Sequence, residues 1–567
     1  MNRSEILASL QSKSPDVLII GGGINGAGVF RDLALNGVDV LLIDRADFCS
    51  GASAASSHMA HGGIRYLENG EFRLVREAVQ ERNRMIENAP HLVRPLPTVV
   101  PMFKIFSGLL NAPLKFLNLL DRPAERGALV IKIGLIFYDQ FTKGQGTVPP
   151  HKFEGRARSL EKYPKLHPGV KFTATYYDGQ ILSPERYTVE LILDAEAEGP
   201  HARALNYVSF AGGEGSAVVL QDEVSGERLR ISPRLIINAA GPWIDLVNAS
   251  LGLSRRYIGG TKGSHLVLDH PELRQAIGQN EFFFENNDGR IVLLFPFYDK
   301  VIVGTSDIPI QDPDSARCTD EEIDYFLKLT ARVFPNIRIG REHIVFQFSG
   351  VRPLEYVRAK TTGQITRDHS IKEDSFNGIP VYSLVGGKWT SYRAFGEQVT
   401  DKVLALFGLN RRASTRNLPI GGGQKIEING GRDFPITGFA MITFLNEVER
   451  QTGVGGPRLK TLFDRYGTRV REVAAHIGAG PDSPLPHKSD WSRREVDFLA
   501  THEKVIHLDD LLIRRSTLAW LGALTRPALD DFADALGESL GWSAAQKQAE
   551  IQRTLHILAD RHGVVLT

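Results

Sequence analysis

Residues 16–44 constrain this chain more than any other stretch. DVLIIG is an apolar, β-branched run that reads as a strand buried on both faces. GGGINGAG follows, placing Gly21, Gly23 and Gly26 in the spacing G-x-G-x-x-G. AGVFRDLALNG then carries apolar residues at helical spacing, with Gly37 as its C-terminal stop. DVLLID is a second strand, and it ends at Asp44. The first glycine permits a tight turn, the second lets a pyrophosphate approach the backbone, and the third lets helix and strand pack closely. The helix N-terminus offers unpaired N–H groups and a positive dipole end to phosphate. Asp44 lies about 20 residues past the loop, where a carboxylate accepts from a ribose hydroxyl. The pattern predicts a bound ADP moiety and, with an acid at 44, disfavours NADP. It does not by itself separate NAD from FAD. No second such loop follows, so one dinucleotide is expected.

A chain of 567 residues exceeds a single hydrophobic core, and two or three domains are expected. Lys and Arg total 67 against 66 Asp and Glu, so no global basic field exists and nucleic acid is not expected as a partner. The two cysteines, Cys49 and Cys318, imply neither a disulfide framework nor a metal site, and fit a reducing compartment. The N-terminal residues lack the apolar core of a secretory signal. No apolar run reaches the roughly 18 residues of a membrane span. The expectation is a cytoplasmic protein, in solution or on a membrane surface.

Residues 71–88 have helical periodicity, and Pro90, Pro95, Pro97 and Pro101 then break regularity. Residues 102–120 are apolar with Lys104 and Lys115 interspersed, and fit either a membrane-interface segment or a buried helical hairpin. A helix over 186–198, a strand over 203–210 and a strand over 234–243 running into a Gly-Pro turn resume the α/β alternation. Between 262 and 350 the pattern is short strands, with Tyr298, Asp299 and Lys300 as a hairpin turn. Residues 381–404 read as strand, Gly-Gly, helix. Residues 406–434 read as a linker, and 435–567 as a separate helical domain without a strand pattern.

GGGINGAG, ASSHMAHGGIRYL, INAAGPW, KGSHLVL, VGTSD, SGVRPL, ITRDHS and GGKWTSYR occur in that order. Together they resemble the FAD-dependent glycerol-3-phosphate dehydrogenases, a branch of the D-amino-acid-oxidase-type flavoproteins. YGTRVREV at 466–473 and LDDLLIRRST at 508–517 resemble that family's C-terminal helical domain. The resemblance implies an α/β plus α+β fold. A Rossmann-type FAD domain would be interleaved with an antiparallel-sheet substrate domain and followed by an all-helical domain. Within an oxidoreductase region at 14–405, the FAD segments would be about 14–100, 150–260 and 350–405. The substrate segments would be about 100–150 and 260–350. It further implies oxidation of sn-glycerol 3-phosphate to dihydroxyacetone phosphate, with hydride passing to FAD. Electrons would go on to a membrane quinone, which makes peripheral attachment to the cytoplasmic membrane face the expected location. A related branch uses oxygen instead, and nothing in the residues decides between the two. Oligomeric state stays open, with a homodimer among the options.

Oxidising a secondary alcohol needs a base for the hydroxyl proton, an acceptor facing the carbon and, for a phosphate ester, guanidinium groups for the dianion. In SSHMAHGGIRYL, Ser56 and Ser57 are expected to donate to the flavin, and Gly62 and Gly63 to let backbone approach its ring. His61, Arg65 and Tyr66 face the substrate in this reading, and His58 is non-catalytic. By family resemblance His265 in KGSHLVL is the leading general base, with His61 behind it. Arg352 in SGVRPL and Arg367 in ITRDHS become substrate-phosphate ligands, and Gly241 in INAAGPW a cofactor contact. In GGKWT, Gly387, Lys388 and Thr390 meet the flavin, with Lys388 polarising the substrate oxygen or stabilising the reduced ring and Thr390 doubling as a helix N-cap.

The chain departs from the family at four places, one of them the apolar stretch at 102–120, which is longer than the resemblance implies. DGQILSPERYTVEL keeps Asp178 and Arg186 but has Pro184-Glu185 before the arginine. Trp389 stands where smaller residues are common, and His58 where a lysine is often found. With Trp389 placed to reshape the pocket, a different small hydroxy acid or amine is the alternative substrate.

Overall fold

The computed structural model describes the chain except residues 65–70, 105–127, 143–146, 286–290, 357–367, 429–431, 435–437 and 567. Its first layer is a six-stranded sheet. Strands Val17–Ile20, Val40–Ile43, Ala202–Leu205, Leu235–Asn238 and Ile379–Val385 run parallel, and Ser370–Phe376 closes one edge antiparallel. The central four-residue strands are buried throughout, as near-continuous Val, Ile and Leu runs require when both faces of a parallel sheet are covered. Helices Ile24–Leu35, Pro184–Ala197 and Tyr392–Phe407 pack together on one face. On the other face lies an antiparallel meander of Val208–Glu214, Ala217–Asp222 and Arg228–Ile231.

The second layer is a ten-stranded mixed sheet around Thr261–Leu268, which pairs antiparallel with Lys300–Gly304 and with Ile344–Arg352. Its membership cuts across the expected segment boundaries. Val93–Met102, Lys152–Gly155 and Phe172–Ile181 all belong to this sheet, so 150–181 is not part of the nucleotide-binding layer. Pairing of Phe172–Ile181 with Val93–Met102 and Lys152–Gly155, strands outside its own local sequence, decides this, and no local pattern carries that information. One face of the sheet is covered by Asp320–Val333 and Pro271–Ile277. Half of the other face, at Val267, Phe295, Phe297, Ile302, Phe346 and Phe348, is covered by the C-terminal helices.

Several local expectations need correction. The strand read over 203–210 is two strands of different sheets, broken where Tyr207 takes φ 54°. Lys300 is a strand residue opposite Phe297, leaving Tyr298 and Asp299 as a two-residue turn. The linker is not loose. It holds a short ribbon, Ile426–Ile428 with Arg432–Phe434, and its Gly421 and Gly422 amides donate to Asp194 and Glu190. The C-terminal domain contains a hairpin, Pro484–Leu485 with Lys488–Ser492, among its helices. The expected segment at 102–120 falls mostly outside the described residues.

Candidate active site

The glycine loop has the geometry its spacing predicts. Gly21 sits at φ +110°, and a Cβ there would lie 2.6 Å from the Ala239 carbonyl oxygen. A Cβ on Gly26 would lie 1.9 Å from the Gly21 oxygen, so helix and turn approach as only glycine allows. Gly23 is the N-cap of Ile24–Leu35, and Gly37 follows its C-cap at φ +76°. Asp44 accepts from the Gly22 amide at 2.7 Å and the Ala46 amide at 3.0 Å, and burial pushes its carboxyl up to about 6. Gly241 adopts φ +56° with open space where a side chain would begin. Partly exposed Gly21 and Gly23 at the helix start, the close-packed turn and the carboxylate together fit an ADP moiety.

The loop from Gly51 to Gly63 lies against this turn. Ser53 Oγ accepts from the Ile24 amide at 3.0 Å, and Asn25 donates to the Gly386 carbonyl at 3.2 Å. These tie the start of the helix to both neighbouring loops. Neither Ser53 nor Asn25 was singled out from sequence, because nothing local marks them. The 386–391 turn is anchored the same way. Gly386 and Gly387 take φ +77° and +88°. Thr390 Oγ1 accepts from the His61 amide at 3.1 Å and donates to the His61 carbonyl at 3.3 Å. Thr390 is therefore a clamp between loops and not the N-cap. The cap position of Tyr392–Phe407 belongs to Ser391, whose amide donates to the Lys388 carbonyl. Lys388 lies half-buried in this turn, beside Gly387.

Asp178 supports the same wall from behind. It is buried, accepts from the Gly62 amide at 2.8 Å and from the Tyr138 hydroxyl at 3.0 Å, and faces Arg82 at 3.6 Å. A Cβ on Gly62 would lie 1.9 Å from the Tyr138 oxygen, so the loop needs glycine there for packing on its own protein. Gly63 follows at φ 75°. Arg186, by contrast, turns away and pairs with Glu503 of the C-terminal domain at 2.5 Å.

The rest of this face of the large sheet meets the Gly51–Gly63 loop through Ser57 and Ala55 and supplies the opposite wall. His265, Gly263 and Arg352 share the face of Val267, beyond the edge of the apolar cover. Glycines hollow this face. A Cβ on Gly304 would strike the His265 ring, one on Gly263 would strike the Arg352 guanidinium, and one on Gly350 would strike Ala55. His265 is 1% exposed, stacks on Phe348 with ring centroids 4.7 Å apart, and meets the Ser57 hydroxyl through Nε2 at 2.9 Å. Burial first, then the Arg352 charge, holds its pKa well below the ordinary histidine value, so the imidazole is neutral. Arg352 donates to Asp307 at 3.2 Å and to Thr305 and the Ser306 carbonyl at 3.0 Å each, with its side chain 31% exposed.

The structure thus brings Ser57, His61, Gly62, Gly63, His265, Arg352, Gly387, Lys388 and Thr390 into two adjoining walls. Ser56 acts locally, its Oγ accepting from the His58 amide. His58 is buried among Phe297, Phe348 and Trp520, which pack around its ring. Trp389 does not shape an open pocket. It is 7% exposed, packs edge-on against Tyr187 and donates to the Ser53 carbonyl at 3.0 Å. Arg65, Tyr66 and Arg367 lie outside the described residues.

Comparison with known proteins places the chain. Residues 16–400 match the family described as FAD dependent oxidoreductase, and residues 413–547 match the C-terminal domain of alpha-glycerophosphate oxidase. A glycerol-3-phosphate dehydrogenase of Synechocystis is 34% identical over 96% of both chains. A D-erythritol 1-phosphate dehydrogenase of Brucella abortus is 30% identical over 88% of this chain and 94% of its own. The solved glycerol-3-phosphate dehydrogenase of Bacillus halodurans, complexed with FAD, shares the fold with a TM-score of 0.73 at 22% identity, covering 98% of this chain and 97% of that one. The glycine loop, the two sheets and these matches together make the chain a member of the FAD-dependent oxidoreductase family, in the branch that carries the alpha-glycerophosphate oxidase C-terminal domain.

Proposed function

We propose that this protein oxidises sn-glycerol 3-phosphate to dihydroxyacetone phosphate. The observation that carries the reading is the pairing of a neutral, buried His265 with a partly exposed, firmly held Arg352 on one hollowed sheet face. Arg352 offers its planar fork to the phosphate dianion and so fixes the far end of the substrate. His265, with Ser57 at its Nε2, takes the proton of the secondary hydroxyl. FAD, when bound, supplies the hydride acceptor. Lys388, beside Gly387 in the turn tied to His61 by Thr390, puts a cation near the developing negative charge. Asp44 and the Gly21–Gly26 turn hold the ADP end.

The electron acceptor in this reading is a membrane quinone, reached by peripheral attachment to the cytoplasmic membrane face. Helix Ala128–Thr142 supports it. Leu129, Ile133, Ile136 and Phe137 are exposed on one stripe, at 39 to 53% of their area, while Tyr138 on the opposite face packs under Gly62. Among the described residues no helix is long and apolar enough to cross a membrane.

The decisive experiment is anaerobic mixing of the FAD-loaded protein with sn-glycerol 3-phosphate while the flavin absorbance is followed. Bleaching with formation of dihydroxyacetone phosphate is expected. A second reading, oxidation of a longer polyol phosphate, is favoured by the 30% identity to the D-erythritol 1-phosphate enzyme. It would replace the first if D-erythritol 1-phosphate bleached the flavin and glycerol 3-phosphate did not.

A further inference from the structure

The turn that carries Asp44 does more than present a carboxylate. Its residues hold the glycine loop from below. Asp44 accepts from the Gly22 amide, the Cys49 amide donates to the Gly22 carbonyl at 3.1 Å, and the Phe48 ring lies where a Cβ on Gly22 would be, 2.5 Å away. In the middle of this turn sits Asp47, fully buried.

Asp47 is gripped from the far end of the chain. Arg514 donates to it through Nε at 2.7 Å, and Arg515 through Nη1 at 2.7 Å and Nη2 at 3.0 Å. Asn206 completes the set at 3.0 Å, and the same amide nitrogen reaches the Lys504 carbonyl at 2.8 Å. Both arginines end the π-helical turn Asp510–Arg515, an uncommon local geometry that fixes two consecutive guanidiniums toward one carboxylate. Arg514 is held in turn by Asp509 and Asp510, and Arg515 by the Glu503 carbonyl. Arg186 bridges Glu503 and the Arg515 carbonyl from the nucleotide side. The two guanidiniums hold the Asp47 carboxyl at about 2 against the upward push of burial.

We propose that the C-terminal domain is a positioning element of the dinucleotide site. Arg514 and Arg515 set Asp47, and through the Asp44–Cys49 turn they set Asp44 and Gly22. Docking of this domain and binding of FAD are then linked, and linkage is reciprocal. A dinucleotide that organises the turn tightens the junction, and a loosened junction releases the dinucleotide. Arg514 and Arg515 are buried and engaged by Asp47, Asp509, Asp510 and the Glu503 carbonyl, so their role is positioning.

The test uses the full-length FAD-loaded protein. Flavin fluorescence after dilution reports FAD release, compared between wild type, Asp47→Asn and Arg515→Lys. Glu495→Gln is the control, since Glu495 is equally buried but is paired with Arg458, Arg465 and Tyr466 inside the C-terminal domain. Asp47→Asn should release FAD at least about tenfold faster and Arg515→Lys several-fold faster, with Glu495→Gln near wild type. Wild-type release from Asp47→Asn, or equal acceleration by Glu495→Gln, would overturn the proposal. Should Asp47→Asn fail to fold, hydrogen exchange of the wild type with and without FAD decides. Slower exchange over 503–520 with FAD supports the linkage, and unchanged exchange there refutes it.

Discussion

The Nε2 atom of His265 lies 2.9 Å from the hydroxyl of Ser57, joining the substrate sheet to the loop that follows the glycine turn. The contact orients the imidazole, because Phe348 stacks on one face and Gly304 leaves no room for the ring to tilt away. Loss of a general base reduces the rate about 10²–10⁴-fold. His265→Asn should therefore slow flavin reduction by about that factor in stopped-flow mixing with glycerol 3-phosphate. Ser57→Ala removes one orienting hydrogen bond, about 1 kcal/mol or roughly fivefold. Wild-type flavin reduction in His265→Asn would move the base to His61.

In the proposed reaction Arg352 acts on both substrate and base. A charge-assisted hydrogen bond to phosphate is worth about 1.5–3 kcal/mol, so Arg352→Ala should raise KM about 10- to 150-fold. Lysine should restore only part of this, since it lacks the fork. The same substitution has a second signature. After burial, the Arg352 charge is what lowers the His265 pKa, so its removal raises that pKa. The acid limb of kcat/KM, where the base becomes protonated, should then move to higher pH. An unmoved limb would show that His265 is not the titrating group.

Much of this arrangement was legible in the sequence, and the remainder had physical reasons to be hidden. Gly21, Gly26, Gly37 and Asp44 are readable because backbone geometry dictates residue type. His265 and Arg352 were readable only through ordered motifs. A histidine on an apolar strand and an arginine before proline say nothing alone. Asn25 and Ser53 were missed, and Asp178 was noted without a role, because these residues bridge segments far apart in the chain. The N-cap reading of Thr390 fails although a threonine at a helix start is locally sufficient for that role, because its hydroxyl is engaged by the His61 backbone. The docking of Arg514 and Arg515 on Asp47 spans most of the chain, and no spacing rule reaches that far.

With Asp44 as the proposed ribose ligand, FAD binding is predicted to depend on pH. The ionised carboxylate is the better acceptor for a ribose hydroxyl, and burial raises this group to about 6. FAD affinity should therefore strengthen as pH rises through 6 and level off above it. Asp44→Ala should weaken binding about 10- to 150-fold and remove that pH dependence. Fluorescence titration between pH 5 and 8 checks both, and a variant that kept the wild-type pH profile would exclude Asp44.

The apolar stripe on Ala128–Thr142 predicts lipid affinity. Ile133→Glu and Phe137→Glu together remove two exposed apolar side chains and add two charges that anionic lipid repels. Wild-type protein should co-sediment with anionic vesicles and the double variant should remain in the supernatant, with flavin reduction by substrate unchanged. Equal sedimentation would remove this helix from the docking surface.

His58 gives the fold an acid-sensitive side. Its ring is buried, and burial depresses its pKa to about 3, while His562 is depressed to about 4. The unfolded chain protonates these rings near 6.5, so between 6.5 and those values it binds more protons than the folded state. Stability is then fully present above 6.5 and lost as pH falls, by at most about 1.4 kcal/mol per pH unit for each histidine. His58→Phe keeps an aromatic ring against Phe297, Phe348 and Trp520 and has nothing to protonate. Its stability should depend less steeply on pH between 4 and 6.5, by about one proton, and at pH 7 it should stay close to wild type because the aromatic packing is kept. Urea unfolding across that range measures the slope. A variant as steep as wild type would mean that His58 finds a proton acceptor on acidification and that the ring moves within its aromatic cage.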